Sequence, residues 1–457
     1  MGRKNVNMLS GPIVSGILAI AIPVMIMNVV SSLFNIVDMS ILKGYAQSKY
    51  TVGAVGVCGT LITAISGLAI GSASGSNVVI AKFVGAKDEF RVSRAIHTSI
   101  ALSLVAGLLL AVVGVGGAEL FLKWVNCPAE QLPEATLYFR MYFAGIPLLM
   151  YYNFGAAVLR SFGDSRRPMI FLTISGAVKV VLTYVFVAYF QLGVVGVSLA
   201  TILSWTLLAV VMTITLLRNE GMGKVEISKI RLHKEELLQI LRIGIPAGLQ
   251  QVLYSIANVL ISATVNTFGA AATTGISIAN NFDNILYQIS TASALAVMPY
   301  VSQNVGAGNI KRAVQSIWRG MMVTICLGAS LGALSAIFSG PLSYTMTNDP
   351  AVVAYSQQKM MLVSSTYFIC GINEILGAAL RGMGKPSAPT VSTLVFMCLI
   401  RFVWVQWIYP FLPEPKLTFL YLIWPIGWVL SIATLLCVLL PTVKKLRRQQ
   451  LLAEQIA

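Results

Sequence analysis

Charged residues are scarce in this chain of 457 residues, since Asp, Glu, Lys and Arg make up 11% of it while 57% is hydrophobic. Soluble domains carry roughly 25% charged residues, so the composition excludes an ordinary soluble protein. Apolar stretches of about twenty residues, enough to cross a bilayer as a helix, recur from end to end. Runs of that length, rather than alternating ten-residue segments, argue against an outer-membrane barrel. The sequence therefore predicts an all-α polytopic membrane protein.

Several signatures of catalysis and ligand binding are also missing. There is no Walker-type phosphate loop, zinc-ligand spacing or serine-triad motif, and the polar segments are too short for a nucleotide-binding domain. Five of the six cysteines lie in apolar spans, and Cys127 lies alone in a loop, so neither a metal site nor a disulfide is indicated. We therefore expect a protein that is not an enzyme, uses no cofactor, and draws its energy from an ion gradient or from the gradient of its own substrate.

The breaks between apolar runs and the positions of the basic residues predict the topology. Twelve spans are expected near 12–41, 51–79, 95–118, 135–159, 168–190, 193–217, 239–265, 272–303, 314–340, 354–380, 388–412 and 417–441. Most of the 32 Lys and Arg residues then fall on one side, which the positive-inside rule identifies as cytoplasmic. We expect a bacterial-type cytoplasmic membrane, with both termini in the cytoplasm. The net charge of +16 needs no nucleic acid to explain it.

An internal repeat relates the two halves of the chain. "FVGAKDEFRVSRAI" (83–96) matches "NVGAGNIKRAVQSI" (304–317), and "VLRSFGDSRRP" (158–168) matches "ALRGMGKPSAP" (379–389) at the same displacement along the chain. "IAIPVMIMNVVSSLFN" (20–35) matches "IGIPAGLQQVLYSIAN" (243–258) at nearly that displacement. Each half has an even number of spans, so the halves are related by an axis along the membrane normal.

The repeat predicts two pseudo-symmetric lobes of six helices each. They are residues 1–217 and residues 242–457, the second with a basic cytoplasmic tail, and a charged amphipathic connector (218–241) joins them. Two such lobes suit a carrier whose cavity between them opens to either side in turn. A channel would instead repeat a pore-lining filter around an axis.

Only three acids lie well inside predicted spans, where an ionisable group costs at least about 2.5 kcal/mol. The first of them is Asp38, which shares a stripe of the first helix with Asn28 and Asn35. Helical rise places Asp38, Thr183 and Thr201 in the outer half of the first lobe, where the three could meet. Asp38 is interpreted either as a buried ion-pair acid, with Lys179 as its partner, or as an acid whose protonation or cation binding changes with lobe conformation.

The other two acids lie in the second lobe. Asp283 is part of a polar cluster with Asn280 and Gln288, and it either faces a central cavity that attracts a cation or makes an interhelical contact. Glu374 takes the place that Asn153 has in the first lobe. Met27 and Tyr287 are among the flexible and aromatic side chains expected to line an adaptable cavity.

Four basic residues also fall within spans. Lys179 is the suggested partner of Asp38. Arg401 is expected to pair with Glu374 or with backbone carbonyls. Arg140 and Lys359, close to span ends, are expected to extend their charged groups to the membrane interface.

The order of these motifs resembles the multidrug and toxin extrusion (MATE) family, most closely its bacterial DinF-like branch. The resemblance covers nearly the whole chain and rests on Pro23, Asn28, Asn35 and Asp38, on the "VGA" loops after the second and eighth spans, and on the "LR..G" turns at 159–163 and 380–384. It implies an antiporter that expels amphipathic, often cationic compounds in exchange for H+ or Na+ by alternating access.

The same resemblance implies an ion site in the first lobe, built from the first-helix acid, an Asn and an Asp on the fifth helix and a Thr on the sixth. Asp38 and Thr201 match this pattern, but Lys179 and Thr183 replace the Asn and the Asp. A fixed ammonium group beside Asp38 would compete with Na+. We therefore expect ion coupling at Asp38, Asn35, Lys179, Thr183 and Thr201 to use protons, with coupling through Asp283 or Glu374 as the alternative.

Two other functions are compatible with the pattern. A lipid-linked saccharide flippase of the same superfamily would need a more strongly basic cavity to hold a diphosphate. A membrane sensor or scaffold would show no substrate flux. For the antiporter, the expected partners are small-molecule substrates and the lipid bilayer, with no nucleic acid, and the expected state is a monomer.

Overall fold

The computed structural model describes residues 6–45, 51–125, 127–412 and 416–456, and its regular secondary structure within those ranges is helical throughout. The all-α prediction is confirmed. The first six helices are α1 (Ile13–Tyr45), α2 (Thr51–Gly85), α3 (Glu89–Trp124), α4 (Leu132–Ser161), α5 (Arg166–Tyr184) and α6 (Gly193–Leu217). A π-helical turn, Val185–Tyr189, extends α5. Arg3, Lys4 and Lys49, which are among the basic residues used to predict the topology, lie outside the described residues.

The second half repeats this order with more interruptions. Its helices are α7 (Lys234–Asn266), α8 (Ala270–Gly306), α9 (Ile310–Ile337), α10 (Ser339–Tyr344), α11 (Pro350–Leu362), α12 (Tyr367–Gly382), α13 (Ser387–Ser392), α14 (Ile400–Val403), α15 (Lys416–Tyr421) and α16 (Ile423–Ile456). A 3-10 turn joins α11 and α12 into one span, and π-helical turns extend α13 and α14 into another. The last span begins in α15 and continues through α16.

Twelve spans result, as predicted. Eleven helical segments of the described chain are long and apolar enough to cross a membrane. The twelfth is α8, which has 37 residues but contains the polar cluster around Asp283. Those polar side chains lower the hydropathy of α8 without shortening it.

The repeat is visible in the turns that end α2 and α8. Lys87 and Gly308, which occupy equivalent positions in the matched segments, both adopt left-handed backbone conformations, with φ of 56° and 73°. The next residues, Asp88 and Asn309, each accept a hydrogen bond from the backbone N–H three positions further on. Such side chains satisfy free N–H groups at a helix start. Equivalent positions therefore end one helix and begin the next in the same way.

Two compact units can be distinguished within the described chain. One contains Ile26–Gly248, and the other contains Val6–Met25 together with the chain from Leu249 onward. The divisions fall within α1 and α7, shortly after Pro23 and Pro246. Compared with the predicted lobes 1–217 and 242–457, the units exchange two helix starts. The beginning of α1 belongs to the second unit, and the beginning of α7 belongs to the first.

Glycines explain why the beginning of α7 belongs to the first unit. Gly71 and Gly75 of α2 meet Gly244 and Gly248 of α7, and a Cβ on Gly75 would overlap the carbonyl oxygen of Ile240. Small residues spaced four apart on both helices allow two backbones to approach this closely. The first turns of α7 therefore pack against α2.

The beginning of α1 packs within the second unit. A Cβ on Gly16 would overlap the hydroxyl of Tyr300 in α8. The carbonyl of Met8 accepts hydrogen bonds from the side chains of Asn304 (3.1 Å) and Arg312 (2.9 Å). These contacts fix the start of α1 to α8 and α9.

Each unit has its own apolar core. In the first, Phe139 and Phe143 of α4 stack with centroids 4.4 Å apart. In the second, Trp428 of α16 is fully buried and packs against Tyr367 at 5.2 Å. Polar side chains that lie beside these cores therefore need partners, because the surrounding groups offer no hydrogen bonds.

Candidate functional site

The structure contains the ion pair expected between α1 and α5. Lys179 Nζ lies 2.5 Å from Asp38 Oδ2, and the two side chains are 18% and 7% exposed. The helices approach closely one turn earlier, because a Cβ on Gly176 would overlap the ring of Phe34. Glycine at this position therefore lets α5 place Lys179 against α1.

The carboxylate of Asp38 is poorly bonded for a buried group. Neither of its oxygens accepts a hydrogen bond from the described residues, although Lys179 is in ion-pair contact. Thr183, one turn after Lys179, is fully buried, and its hydroxyl likewise finds no partner among the residues described. A buried polar atom without a partner costs about 1–3 kcal/mol. A proton, a water molecule or a small cation would relieve this cost at Asp38.

The remaining residues of the expected ion site have other contacts. The hydroxyl of Thr201, 4% exposed, donates to the carbonyl of Val197 in its own helix at 2.9 Å. Asn35 is exposed on α1. In the described part of the chain, the ion contact of Asp38 is therefore with Lys179, and no hydrogen bond links it to Thr201 or Asn35. The coupling role of all five residues stays a prediction.

The cavity residues expected in the first unit lie around α4. The sulfur of Met27 is 3.8 Å from the hydroxyl of Tyr152, and Asn28 beside it is partly buried. The side chain of Asn153 donates to the carbonyl of Leu149 at 3.0 Å. Its amide therefore retains acceptor capacity for another group.

Asp283 of the second unit lies in a second ion pair. Lys359 Nζ is 2.9 Å from Asp283 Oδ2, and Ser364 donates to Asp283 Oδ1 at 2.7 Å. Lys359 also donates to the side chain of Asn280 and lies 5.5 Å from the ring centre of Trp424. This is the interhelical contact that the sequence left as one interpretation of Asp283.

The expectation that Lys359 extends to the membrane interface is wrong. Its side chain is 2% exposed. A carboxylate, an amide oxygen and an aromatic face stabilise the ammonium group where it is buried, so it has no need to reach water. An unpaired acid and an unpaired lysine in spans of one lobe were the signal that could have found this pair. Arg140, by contrast, is exposed, as expected for an interfacial residue.

Glu374 lies at a narrow cavity in the second unit, whose volume of about 10 Å³, counted as the space open to the centre of a water molecule, corresponds to about one water in this conformation. The lining residues are Gln250, Gln251, Tyr254, Tyr287, Asn373, Glu374, Thr393 and Met397. The rings of Tyr254 and Tyr287 stack with centroids 5.7 Å apart and an angle of 7°. Within the described chain, no hydrogen bond or ion pair holds the carboxylate of Glu374. Arg381 donates instead to Gln250, at 2.9 Å.

This cavity includes residues that sequence reasoning missed. Gln250, Gln251 and Tyr254 lie on α7, in the repeat segment that matches the start of the chain, but their orientation requires the structure. Gln288, expected to line a cavity, is partly buried on α8, directly after Tyr287.

Arg401 is fully buried, and its expected pairing with Glu374 or with backbone carbonyls is wrong. Its guanidinium donates to the side chain of Asn258 at 2.8 Å and lies 5.5 Å and 5.2 Å from the ring centres of Tyr254 and Trp424. Aromatic faces attract a cation when water is excluded, so the amide and the two rings replace the expected acid.

Comparison with known proteins identifies relatives along most of the chain. The MatE family model matches residues 23–185 and again residues 246–406, so one model fits each half of the internal repeat. A probable multidrug resistance protein of Bacillus subtilis (strain 168), YpnP, is 25% identical over 400 residues, which cover 87% of this chain and 89% of that protein. The probable multidrug resistance protein NorM of Thermotoga maritima is 23% identical over 389 residues, covering 84% and 83%.

A solved structure has the same fold. It is an outward-facing conformation of a multidrug resistance MATE family transporter of the MOP superfamily, with a TM-score of 0.89 and 20% sequence identity. The match covers 98% of this chain and 100% of the other.

Proposed function

The chain belongs to the MatE family of multi-pass membrane transporters, and from that premise we propose that it exports amphipathic, often cationic small molecules in exchange for protons. Two relatives named as probable multidrug resistance proteins, YpnP and NorM, support this substrate class. The predominance of basic residues in alternate loops supports cytoplasmic termini in a cytoplasmic membrane. We further propose a monomer that works by alternating access without a cofactor.

One observation supports protons over sodium as the coupling ion: the poorly bonded carboxylate of Asp38 beside Lys179. A sodium ion would have to share that carboxylate with a fixed positive charge. A proton needs no coordination shell and forms a covalent O–H bond with one carboxylate oxygen. The ion pair is neutral overall, whereas protonation of Asp38 leaves an uncompensated ammonium group.

That ammonium group would drive the conformational change. An unpaired charge among membrane helices is costly. The protonated site therefore favours any arrangement that brings Lys179 to water or to another partner. Deprotonation restores the pair and favours the arrangement described above.

The cavity at Glu374 is proposed as part of the substrate site. A carboxylate that has no hydrogen bond or ion pair among the described residues, together with two stacked tyrosine rings, suits an organic cation, because both a negative charge and aromatic faces attract it. We also propose substrate contact for Asn28, Met27, Asn153, Tyr287 and Gln288, which the sequence predicts to line a cavity. Asp283 and Asn280, predicted with them, are instead bonded to Lys359.

Efflux of a fluorescent organic cation from proteoliposomes tests the proposal. The purified chain is compared with Asp38→Asn under imposed pH or sodium gradients. Glu119→Gln serves as the matched control, because Glu119 pairs with Lys123 at an exposed site. We expect the pH gradient to drive efflux in the parent and in the control but not in Asp38→Asn. Efflux driven by sodium alone, or undiminished in Asp38→Asn, would refute proton coupling at this site.

A further inference from the structure

The chain has two histidines, and both of them attach the segment between α6 and α7 to the first turns of α3. We call this segment, residues 218–233, the linking segment. It contains two short 3-10 turns, Gly221–Gly223 and Ile227–Lys229, and is otherwise irregular. Its attachment to α3 therefore depends on a few identifiable hydrogen bonds.

The bonds of His97 assign its proton. Nδ1 lies 2.7 Å from the carbonyl oxygen of Ser93, which can only accept, so Nδ1 carries hydrogen. Nε2 receives the backbone N–H of Glu226 at 3.0 Å, and that group can only donate. His97 is 1% exposed. The neutral Nδ1–H form satisfies both partners, whereas a doubly protonated ring would direct an N–H at the N–H of Glu226.

His233 is arranged in the same way from the other side. Its Nε2 accepts the Nε–H of Arg231 at 3.1 Å, and an arginine can only donate. Nδ1 therefore carries hydrogen and donates to the hydroxyl of Thr98 at 3.1 Å. The backbone N–H of His233 donates to the same hydroxyl at 3.2 Å. Protonation of Nε2 would direct an N–H at the donor of Arg231 and place a positive charge beside its guanidinium.

The charged groups around the two rings are mixed. His233 faces Arg94 of α3, Arg231 of the linking segment and Glu236 of α7. Arg94 and Glu236 form an ion pair at 3.0 Å, in which Glu236 is almost fully buried. That pair reduces the attraction of Glu236 for a protonated His233.

His97 lies near the acid Glu226, which belongs to the linking segment itself. The carboxylate of Glu226 is 2.9 Å from Lys229 and 3.7 Å from Lys224. Its charge is thus already balanced by exposed lysines, and it offers His97 little compensation for a lost backbone hydrogen bond.

We propose that His97 and His233 form a proton-sensitive latch, which holds the linking segment on α3 while both rings are neutral and releases it when they are protonated. The charge distribution predicts that this end of α3 is cytoplasmic, so the latch would respond to cytoplasmic pH. The proposal does not depend on what the protein transports. It concerns a regulated contact that lies outside the ion pair of Asp38.

The direction of the pH effect follows from linkage. Burial, together with Arg94 and Arg231, lowers the pKa of His233 below its usual 6.5 in the attached state. The released segment then binds more protons than the attached one, so attachment is strongest above about pH 6.5 and weakens as the pH falls. Release is therefore expected as the pH falls through the lowered pKa of His233.

Nitrogen-15 NMR of histidine tests the proton assignment directly, because two residues give two sets of signals. The full chain, labelled in histidine and carrying no polyhistidine tag, is placed in lipid nanodiscs. We expect both rings to carry hydrogen on Nδ1 at pH 7.5, and His233 to become doubly protonated when the pH is lowered to 5. An Nε2–H form of either ring at pH 7.5 would overturn the proposal.

Hydrogen exchange of the linking segment, corrected for the intrinsic effect of pH, tests the release. The exchange rate of residues 224–233 should rise at least about tenfold between pH 7.5 and pH 5. In the double variant His97→Gln/His233→Gln, whose amides cannot titrate, the rate should be the same at both pH values. Thr98→Val, which lacks the hydroxyl that His233 contacts, should exchange quickly already at pH 7.5.

Three results would contradict the latch. They are a rate that stays constant while His233 titrates in the wild type, an equal pH response in the double variant, and an unchanged rate in Thr98→Val. If the double variant fails to fold, the wild-type titration and Thr98→Val still decide the question.

Discussion

Two buried aspartate–lysine pairs of the described chain, one in each unit, differ in how completely their carboxylates are bonded. Asp283 uses both oxygens, for Lys359 at 2.9 Å and for Ser364 at 2.7 Å. Asp38 contacts Lys179 and accepts no hydrogen bond from the described residues. Lys359 is 2% exposed and Lys179 18%. Both acids are buried, but one is saturated with partners and the other is not.

The difference indicates that burial alone does not identify a coupling acid. Protonation of a fully bonded carboxylate would weaken several interactions at once, so protonation is unfavourable there. Those same interactions hold neighbouring helices together. A poorly bonded pair loses little more than its ion contact. We therefore propose Asp38 as the coupling acid and the pair of Asp283 and Lys359 as a structural anchor.

The repeat shows that the anchor, the ion pair of Asp283 and Lys359, has no counterpart at the equivalent positions of the first half. At the displacement that relates the matched segments, the positions equivalent to Asp283 and Lys359 are Ile62 and Tyr138, which lie in or against the apolar core of the first unit. One half thus uses apolar packing where the other uses an ion pair.

The pair of Asp38 and Lys179 has a partial counterpart in the second half. Arg401 lies at nearly the position equivalent to Lys179 and likewise contacts the first helix of its half. Its partner there is Asn258, which corresponds to Asn35 in the repeat. Both units thus have a cation on the fifth helix of the half. In the first unit it faces an acid, Asp38, and in the second unit it faces an amide, Asn258.

The largest expected effect is on stability and concerns the anchor. Lys359→Met leaves Asp283 buried without its cation, and we expect a loss of about 3–5 kcal/mol in the free energy of unfolding. Lys179→Met should cost clearly less, because Lys179 is more exposed and Asp38 is less bonded. Thermal unfolding of both variants in the same detergent measures the difference. Equal losses would remove the distinction between the pairs.

The next effect is on transport. Asp38→Asn should lower efflux driven by a pH gradient about tenfold or more, equivalent to ~1.4 kcal/mol or more in the barrier, because an amide cannot take up the proton. Asp283→Asn/Lys359→Gln removes both charges of the anchor together and should retain efflux wherever the protein is folded. Loss of coupling in the double variant, with Asp38→Asn unaffected, would reverse the two roles.

Lys179→Asn should change which ion drives efflux. Without the tethered ammonium group, Asp38 becomes available to a cation from solution, so we expect a sodium gradient to support efflux that it does not support in the parent. Efflux measured under separate pH and sodium gradients tests this. Unchanged dependence on both ions would reject the functional pairing of Asp38 with Lys179.

The smallest expected effects are on stability and concern the hydroxyl groups of Ser364 and Thr183. Ser364→Ala deprives a carboxylate oxygen of Asp283 of its donor and should cost about 1–3 kcal/mol. Thr183→Val replaces a buried hydroxyl that has no partner in the described chain, so the melting temperature should stay the same or rise. A large loss of stability in Thr183→Val would show that its hydroxyl is bonded.

The sequence predicted one pair and missed the other for a physical reason. Asp38 and Lys179 could be matched because Lys179 lies one helical turn from Thr183, which helical rise places in the same half of the lobe as Asp38, and because the family pattern pointed to the same helices. Lys359 lies close to the end of its span in sequence, where a long side chain normally reaches the interface. Which way such a side chain turns depends on the packing of α8 against α11, and that packing is not encoded in hydropathy.

The overall architecture was likewise predictable in part. Apolar length gave twelve spans, and the repeat gave two related halves, because both signals are local or periodic. The assignment of the first turns of α7 to the first compact unit was not predicted. It depends on Gly75 and Gly244 facing each other across two helices, although each glycine is visible in the sequence. The cavity at Glu374 was missed in part for the same reason, since Gln251 and Tyr254 had to be oriented first.

Proton release on substrate binding tests the central claim most directly. The purified protein in weakly buffered solution is mixed with a saturating organic cation, and the change in pH is recorded for the parent, Asp38→Asn and Asp283→Asn/Lys359→Gln. We expect the parent and the double variant to release protons and Asp38→Asn to release none while still binding the cation. Equal release from Asp38→Asn and the parent would contradict the assignment of Asp38 as the proton carrier.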